Sequence, residues 1–436
     1  MFKKPKDLPK RNAIWNNRSE LTKNILKLIT GTAIAQVISI LISPILTRLY
    51  STEEFGEFTI VSSIFGVLAL IAGGRYELAI MLPKRKTEAA NVFVLSLLVN
   101  FCFLFLLYFT LFLIDFFVFN QTIGIWYYVI PVFVFLMGII QSFNAWFNRR
   151  KMYKEIAVNR ILSSATTNGF SLLNGLIKIN LNGLLFASLI AGFSNLLVIL
   201  YQIKKDINYI KRSVSIVRIK EFAKKYNRFP LINSVQSLLD ASQINGLIYL
   251  ISVLFGKQSV GVFSLAIRIL FAPMNFIGGS ISQVFYQEAS SLHHSSKELV
   301  PLMKKTLYQT SFLMLFVLVV IMLFGPLLFG LVFGKEWANA GIYSQLLCPW
   351  ICLDFIRAPL SQIPLILHKQ KEVLYFSVVS NLLLLLCFLI AGFYFKDLII
   401  ILTVISIAQV IYLSILILWF FKVASKYDLS LNLPRK

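Results

Sequence analysis

The chain has 436 residues, 58% of them hydrophobic, a formal net charge of +23 and a mean hydropathy of +0.77. Soluble domains are about 45–50% apolar, and the excess here is gathered into long runs, which excludes a water-soluble globular fold. The basic residues lie between those runs, where membrane orientation signals belong, so no nucleic-acid partner is expected.

Residues 1–24 are polar and basic, with Pro5 and Pro9, and read as a cytoplasmic tail with no cleavable leader. After them, spans are predicted near 25–47, 57–82, 89–114, 123–147, 161–179, 182–203, 230–255, 258–286, 307–333, 339–366, 373–394 and 398–421. A helix crosses roughly 30 Å of hydrocarbon with about 20 apolar residues. Residues 307–333 carry no charge, and 97–119 carry only Asp115. Barrel strands would be short and alternating, so the fold class is an all-α integral membrane protein of about 12 transmembrane helices. The fifth span is polar (SSATTNG) and the seventh holds Asp240.

Charge tests the layout. With the N-terminus cytoplasmic and Lys27 counted at the inner end of span 1, 34 of the 42 Lys and Arg fall on the cytoplasmic side and five (Arg48, Lys178, Lys257, Lys335, Lys396) on the other. That asymmetry over short loops places both termini inside and makes the span number even. The longest connection, 204–229, carries nine basic and two acidic residues. It is either an amphipathic helix on the inner leaflet or a solvated linker. It separates six spans (25–203) from six (230–421), with a C-terminal tail at 422–436. The halves echo each other at an offset of 205: Gly56, Phe58, Ile64, Gly73 and Gly74 align with Gly261, Phe263, Ile269, Gly278 and Gly279. Each half begins inside, so the repeat is parallel, with its axis along the membrane normal.

Charges within spans are costly and must face protein or water. Asp354 and Arg357 are spaced i,i+3 and can pair on one helix face. Arg75 and Glu77, in GGRYELAI, are two apart on a continuous helix, so each is expected to need a partner elsewhere. Arg268 has no acid within a turn. Asp240 is either a coupling site or a partner for Arg268 or Arg75. Arg48 ends span 1 as a headgroup anchor or a site residue. Arginine donates bidentately to phosphate and stays ionised in low dielectric, so a cavity lined by these residues suits a polyanionic headgroup. Gln36, Asn233, Gln236, Gln243, Asn275 and Gln283 offer the hydrogen bonds that sugar hydroxyls need, or serve as interhelical glue. Pro44, Pro131, Pro273 and Pro359 free backbone groups within spans.

Enzyme signatures are absent: there is no GxxxxGK[ST] loop and no GxSxG. Cys102, Cys348, Cys352 and Cys387 sit in apolar runs and read as small core residues, with no metal site. His293 and His294 are read as a solvated loop, as is His368. A membrane glycosyltransferase would use acids in its first outer loop; Glu53 and Glu54 are there, but that loop is short. A glycan polymerase would need a large outer loop, which is missing.

Three stretches resemble the bacterial polysaccharide-exporter family that includes O-antigen flippases. They are ITGTAIAQVISILISPILTRLYSTEEFGEF (29–58), GGRYELAIMLPKRKTEAANV (73–92) and the segment 228–290 that begins RFPLINSVQSLLDASQ. The resemblance implies membership of the multidrug/oligosaccharidyl-lipid/polysaccharide exporter superfamily, with two six-helix lobes around a central cavity. It implies export of an undecaprenyl-pyrophosphate-linked glycan across the bacterial inner membrane by alternating access, with no cofactor, coupled to an H+ or Na+ gradient. Membrane lipids, a polysaccharide polymerase and a chain-length regulator are the implied partners. In that frame Arg75, Arg268, Arg357 and Arg48 are expected at the headgroup, Asp240, Glu77 and Asp354 at ion coupling, and Gln36, Asn233, Gln243 and Asn275 at the glycan. A multidrug cation antiporter of the same superfamily, a membrane-embedded polymerase and a lipid scramblase are the alternatives.

Overall fold

The computed structural model describes residues 11–117, 125–178, 182–272, 277–367 and 369–431, with the side chains of 11–29, 125–126, 240 and 370 outside the description. Among these residues every regular element is a helix. The first set comprises α1 (Arg11–Leu49), α2 (Thr52–Ala69), α3 (Tyr76–Ala79), α4 (Lys86–Phe117), α5 (Ile125–Arg149), α6 (Tyr153–Ile177) and α7 (Gly183–Gln202). Two short helices, α8 (Lys204–Ser213) and α9 (Ile216–Lys225), lead to the second set. That set is α10 (Ser234–Leu270), α11 (Gly279–His294), α12 (Val300–Phe333), α13 (Ala338–Leu360), α14 (Gln362–Ile366), α15 (Gln370–Phe395) and α16 (Leu398–Leu431).

Nine of the described helical stretches are long and apolar enough to cross a membrane. The remaining predicted spans depart from a continuous apolar helix. Span 2 ends as α2 and resumes only as α3. Span 5 is α6, whose polar run lowers its hydropathy. Span 8 is divided between the end of α10 and α11. Within α10 the helix breaks at Gly256, where φ is +77°, a conformation that costs glycine little.

Apolar side chains cover the outside of the bundle as well as filling its core. Phe312 and Phe316 on α12, Phe112 and Phe116 on α4 and Phe393 on α15 are exposed, forming the lipid-facing surface. Buried polar groups such as Asn91, Asn100 and Gln409 face inward and bond across helices. One apolar cluster belongs wholly to the first lobe, a second joins that lobe to Ile210 of α8 and Phe222 of α9, and a third lies almost wholly in the second lobe. A fourth joins Leu46, Tyr50, Phe55 and Leu184 to Val262, Phe329 and Trp337 across the seam. This junction lies at the end of the bundle poor in Lys and Arg, called here the sparse end. Ser51 caps α2 there in a reciprocal capping box with Glu54. The last turn of α1 has unsatisfied carbonyls, as every helix end does. The Trp337 indole N–H takes up one of them, donating to Thr47 O at 2.9 Å, and the Phe55 ring meets Trp337 edge-on at 5.0 Å.

Helices α8 and α9 dock on the first lobe rather than lying free. Asp206 accepts hydrogen bonds from Trp146 Nε1 (3.1 Å) and from Arg150 Nε (3.1 Å) and Nη2 (2.9 Å). Asn91 donates to Ser213 O and accepts from Ser215 N, each at 2.9 Å, so one amide holds the joint between the two helices. Removing one partner of a buried ion pair costs about 3–5 kcal/mol. Asp206→Ala should therefore lower the melting temperature of the purified protein and open 204–225 to protease. Cleavage no faster than in the wild type would mean that the docking does not rest on this carboxylate. The residues 293–294 are not a loop: they end α11, where His293 O accepts from Tyr427 Oη at 3.3 Å.

Candidate functional site

The seam between the lobes is built on two glycines from the repeated halves. Gly56 on α2 and Gly261 on α10 meet backbone to backbone: a Cβ on Gly56 would lie 1.8 Å from Lys257 O, and one on Gly261 would lie 1.9 Å from Thr52 O. Towards the other, basic end, α2 stops and the chain turns through Gly73, Gly74 and Arg75. Gly74 and Arg75 both have φ of +58°. Gly73 leaves room for the Glu77 carboxylate, whose Oε2 would lie 2.9 Å from a Cβ there.

This turn corrects one expectation. Arg75 and Glu77 do pair, with Nη1 and Oε1 3.5 Å apart. The i,i+2 divergence holds on a helix, but Arg75 adopts a left-handed conformation before α3 begins, and that brings the two side chains together. Arg75 also reaches the second lobe, where its Nε donates to Ser237 Oγ at 2.8 Å and its Nη2 donates to the same oxygen. Ser237 in turn donates to Asn233 O at 2.7 Å, so Asn233 joins this cluster through its backbone. Neither carboxylate oxygen of buried Glu77 has a hydrogen-bond donor among the described residues.

Arg268 makes the converse crossing. It stands on α10 of the second lobe and its Nη2 approaches Ser39 O of α1 at 3.5 Å. Among the described side chains, which do not include that of Asp240, it has no carboxylate partner. Arg75 from the first lobe and Arg268 from the second thus each extend a guanidinium over the seam.

Each lobe also holds a polar cavity of its own. The second-lobe cavity, about 400 Å³, is lined by Gln243 on α10, Asp354 and Arg357 on α13, Ser380 on α15 and Gln409 on α16. Its groups are internally matched. Arg357 Nε donates to Asp354 Oδ1 at 2.7 Å, as the i,i+3 spacing predicts. Gln243 donates to Ser380 Oγ at 3.1 Å, and Ser380 Oγ lies 3.3 Å from Gln409 Oε1. The first-lobe cavity, about 410 Å³, is lined by Gln36 and Ser39 on α1, Asn144 on α5, Arg160 on α6 and Asn195 on α7. The second-lobe cavity is lined from α10, α13, α15 and α16 and the first-lobe cavity from α1, α5, α6 and α7.

The remaining expectations fall elsewhere. Arg48 is exposed at the end of α1, away from the arginines of the seam. Asp240 lies on α10 with its side chain outside the description, and Asn275, Pro273 and His368 lie outside the described residues. Cys348 and Cys352 are buried and free, with sulfurs 3.6 Å apart, while Cys102 is exposed on the apolar surface rather than in the core. No group of side chains that could hold a metal occurs among the described residues. Sequence reasoning missed Arg160, placing it in a cytoplasmic loop. The signal was present: it stands one turn before the SSATTN run of the least hydrophobic span, and α6 extends back past it to Tyr153.

The fold defines the class. A multidrug resistance MATE family transporter of the MOP superfamily, solved in an inward-facing conformation, matches with a TM-score of 0.73 at 17% identity, over 91% of this chain and 96% of that one. An outward-facing MATE structure matches with a TM-score of 0.60 at 16% identity, over 93% and 96%. A MOP superfamily transporter from Pyrococcus furiosus, described as having a binding pocket of reverse polarity, matches with a TM-score of 0.63 at 16% identity, over 93% and 96%. This is a multi-pass membrane protein with a MOP-transporter fold in two lobes. Residues 45–341 match the family described as polysaccharide biosynthesis protein, and the chain belongs to that family. No curated protein matches.

Proposed function

We propose that this protein carries an undecaprenyl-pyrophosphate-linked oligosaccharide across the bacterial cytoplasmic membrane by alternating access, for assembly of O-antigen, capsule or exopolysaccharide. The observation that carries the reading is the pair of guanidiniums crossing the seam, Arg75 and Arg268, with no carboxylate on Arg268 among the described side chains. Two negative phosphates on a lipid need cations in a low-dielectric path, and arginine supplies them without losing its proton. The basic end is the cytoplasmic one, with both termini inside. The closed sparse end and the higher TM-score to an inward-facing transporter support a state open to the cytoplasm. Arg357, already paired, and Arg48, at the surface, are secondary headgroup contacts. Gln36, Gln243, Asn233 and Asn275 meet the glycan. An ion gradient drives the cycle through Asp240, Glu77 or Asp354. A polymerase and a chain-length regulator receive the product.

The direct test is a vesicle carrying the purified protein and a fluorescent lipid-linked oligosaccharide on one leaflet. The expected result is protein-dependent appearance of the glycan on the other leaflet, driven by a proton or sodium gradient. Glycan that stays on its original leaflet under every gradient defeats the proposal. In the same assay Asp240→Asn should remove the gradient dependence; transport that still follows the gradient in this variant would exclude Asp240 as the coupling group.

A second reading has its own observation. Glu77 is a buried carboxylate that faces Arg75 at 3.5 Å but has no hydrogen-bond donor among the described residues, the kind of group for which a proton or an organic cation competes in a multidrug antiporter. Gradient-driven efflux of a cationic dye, lost in Glu77→Gln, would favour it over the lipid-linked glycan.

A further inference from the structure

We infer that the first-lobe cavity is a subsite for an acidic sugar, a ring bearing both hydroxyls and a carboxylate. The inference rests on the glycan-carrier reading and adds a substrate class to it. Its centre is Arg160, whose side chain lines the cavity and is exposed at its opening. The side chain comes from α6 and its Nη1 donates to Thr32 Oγ1 of α1. Among the described residues it forms no ion pair, and no residue lining the cavity is acidic.

The neighbours decide what the anion must look like. Asn195 is 6% exposed, and its Oδ1 has no hydrogen-bond partner among the described residues; the Oδ1 of Asn144, in the same cavity, is likewise unmatched. A buried polar atom without a partner costs about 1–3 kcal/mol, so a ligand that satisfies it binds with that advantage. An amide presents one acceptor and a two-proton donor. An ionised diphosphate offers acceptors alone: it would satisfy Arg160 and the amide N–H groups and leave both amide oxygens unmatched. A neutral sugar would satisfy the amides and leave the guanidinium without an anion. A sugar acid matches both sets, with its carboxylate on Arg160 and its hydroxyls on Asn144 and Asn195.

The second-lobe cavity supplies the internal contrast. It has a similar volume, but its arginine is neutralised by Asp354 and its amides are taken up by Ser380. Of the two, only the first-lobe cavity carries a cation and amide oxygens left open among the described residues. Its position suits a glycan trailing a lipid headgroup. Thr32, Gln36 and Ser39 lie on one face of α1 at i, i+4 and i+7, and Ser39 O is the atom that Arg268 approaches. Thr32 and Ser39 are about 10 Å apart along the helix. Arg160 and Arg268 are therefore about two turns apart along α1. That is too far to clasp one diphosphate together and about right for a sugar next to a diphosphate held at Arg268.

The test uses the full chain in lipid nanodiscs and saturation-transfer NMR with three probes: glucuronate, glucose and inorganic pyrophosphate. Glucuronate should bind at least about tenfold more tightly than glucose, lose that preference in Arg160→Gln and keep part of it in Arg160→Lys. Pyrophosphate should fail to displace it. Equal binding of glucose and glucuronate, displacement by equimolar pyrophosphate, no binding of glucuronate by the wild type, or an undiminished preference in Arg160→Gln each overturns the subsite. The comparison among probes needs no variant, so it stands even if Arg160→Gln misfolds. If glucuronate binds selectively while no lipid-linked glycan moves in vesicles, the carrier reading fails and the subsite survives.

Discussion

Gly56→Ala is expected to open the sparse end of the bundle and to reduce transport at least about tenfold. The added methyl would sit 1.8 Å from a backbone oxygen, Lys257 O, and a backbone atom has no rotamer by which to retreat. The helices must separate instead, by more than 1 Å. Overpacking of this kind typically costs about 1–3 kcal/mol, and each 1.4 kcal/mol shifts a two-state equilibrium tenfold. The cost falls on the state in which α2 and α10 touch, which is the state that brings Phe55 against Trp337 and the Trp337 indole onto Thr47 O. Spin labels on the two lobes at the sparse end should therefore report a longer distance in Gly56→Ala, and in Gly261→Ala, than in the wild type. The control is Gly66→Ala on the same helix, where a Cβ meets nothing within 4 Å and alanine favours the helix. If Gly56→Ala matches Gly66→Ala in both distance and transport, the close contact is not part of the working cycle.

Arg268→Ala should abolish most translocation of a lipid-linked glycan while leaving the fold as stable as before, or more so. A charged group inside the membrane is expensive to keep, so removing one that has no paired charge relieves that cost. A purely structural arginine behaves in the opposite way, since its removal orphans a partner. Among the described side chains, which do not include that of Asp240, Arg268 has a long contact to a main-chain carbonyl and no carboxylate, so an unchanged melting temperature in Arg268→Ala would also exclude a structural pair with Asp240. A hydrogen bond to a charged group is worth about 1.5–3 kcal/mol, which sets the expected loss at roughly ten- to a hundredfold. Arg268→Lys should recover part of it, because lysine keeps the charge but loses the planar fork. The decisive comparison is transport against melting temperature. Loss of both together would reassign Arg268 to the scaffold.

The linker shows where a sequence reading stops. Its nine basic residues were plain, and so was the choice between an inner-leaflet helix and a solvated linker. The outcome, two helices docked through Asp206 and Phe222, depends on Trp146 and Arg150 from a distant helix. The Arg75–Glu77 pair is a similar case. Periodicity assumes a regular helix, and a left-handed residue within GGR removes that assumption.

The membrane class, the helical fold and the Asp354–Arg357 pair are legible in the chain alone. These follow from quantities local to the chain: apolar run length, charge between runs and i,i+3 spacing. The expectation of about twelve spans also came from that level, and the nine strongly apolar stretches account for most of them. Folding brings Gly56 against Gly261, carries Arg75 and Arg268 across the seam, and makes Arg160 a cavity residue rather than a loop cation. Those facts depend on which helices become neighbours and at what rotation, and a membrane helix has lipid-facing and protein-facing sides of nearly equal hydrophobicity. The sides are told apart by contacts between residues far apart in the chain, such as Arg268 with Ser39.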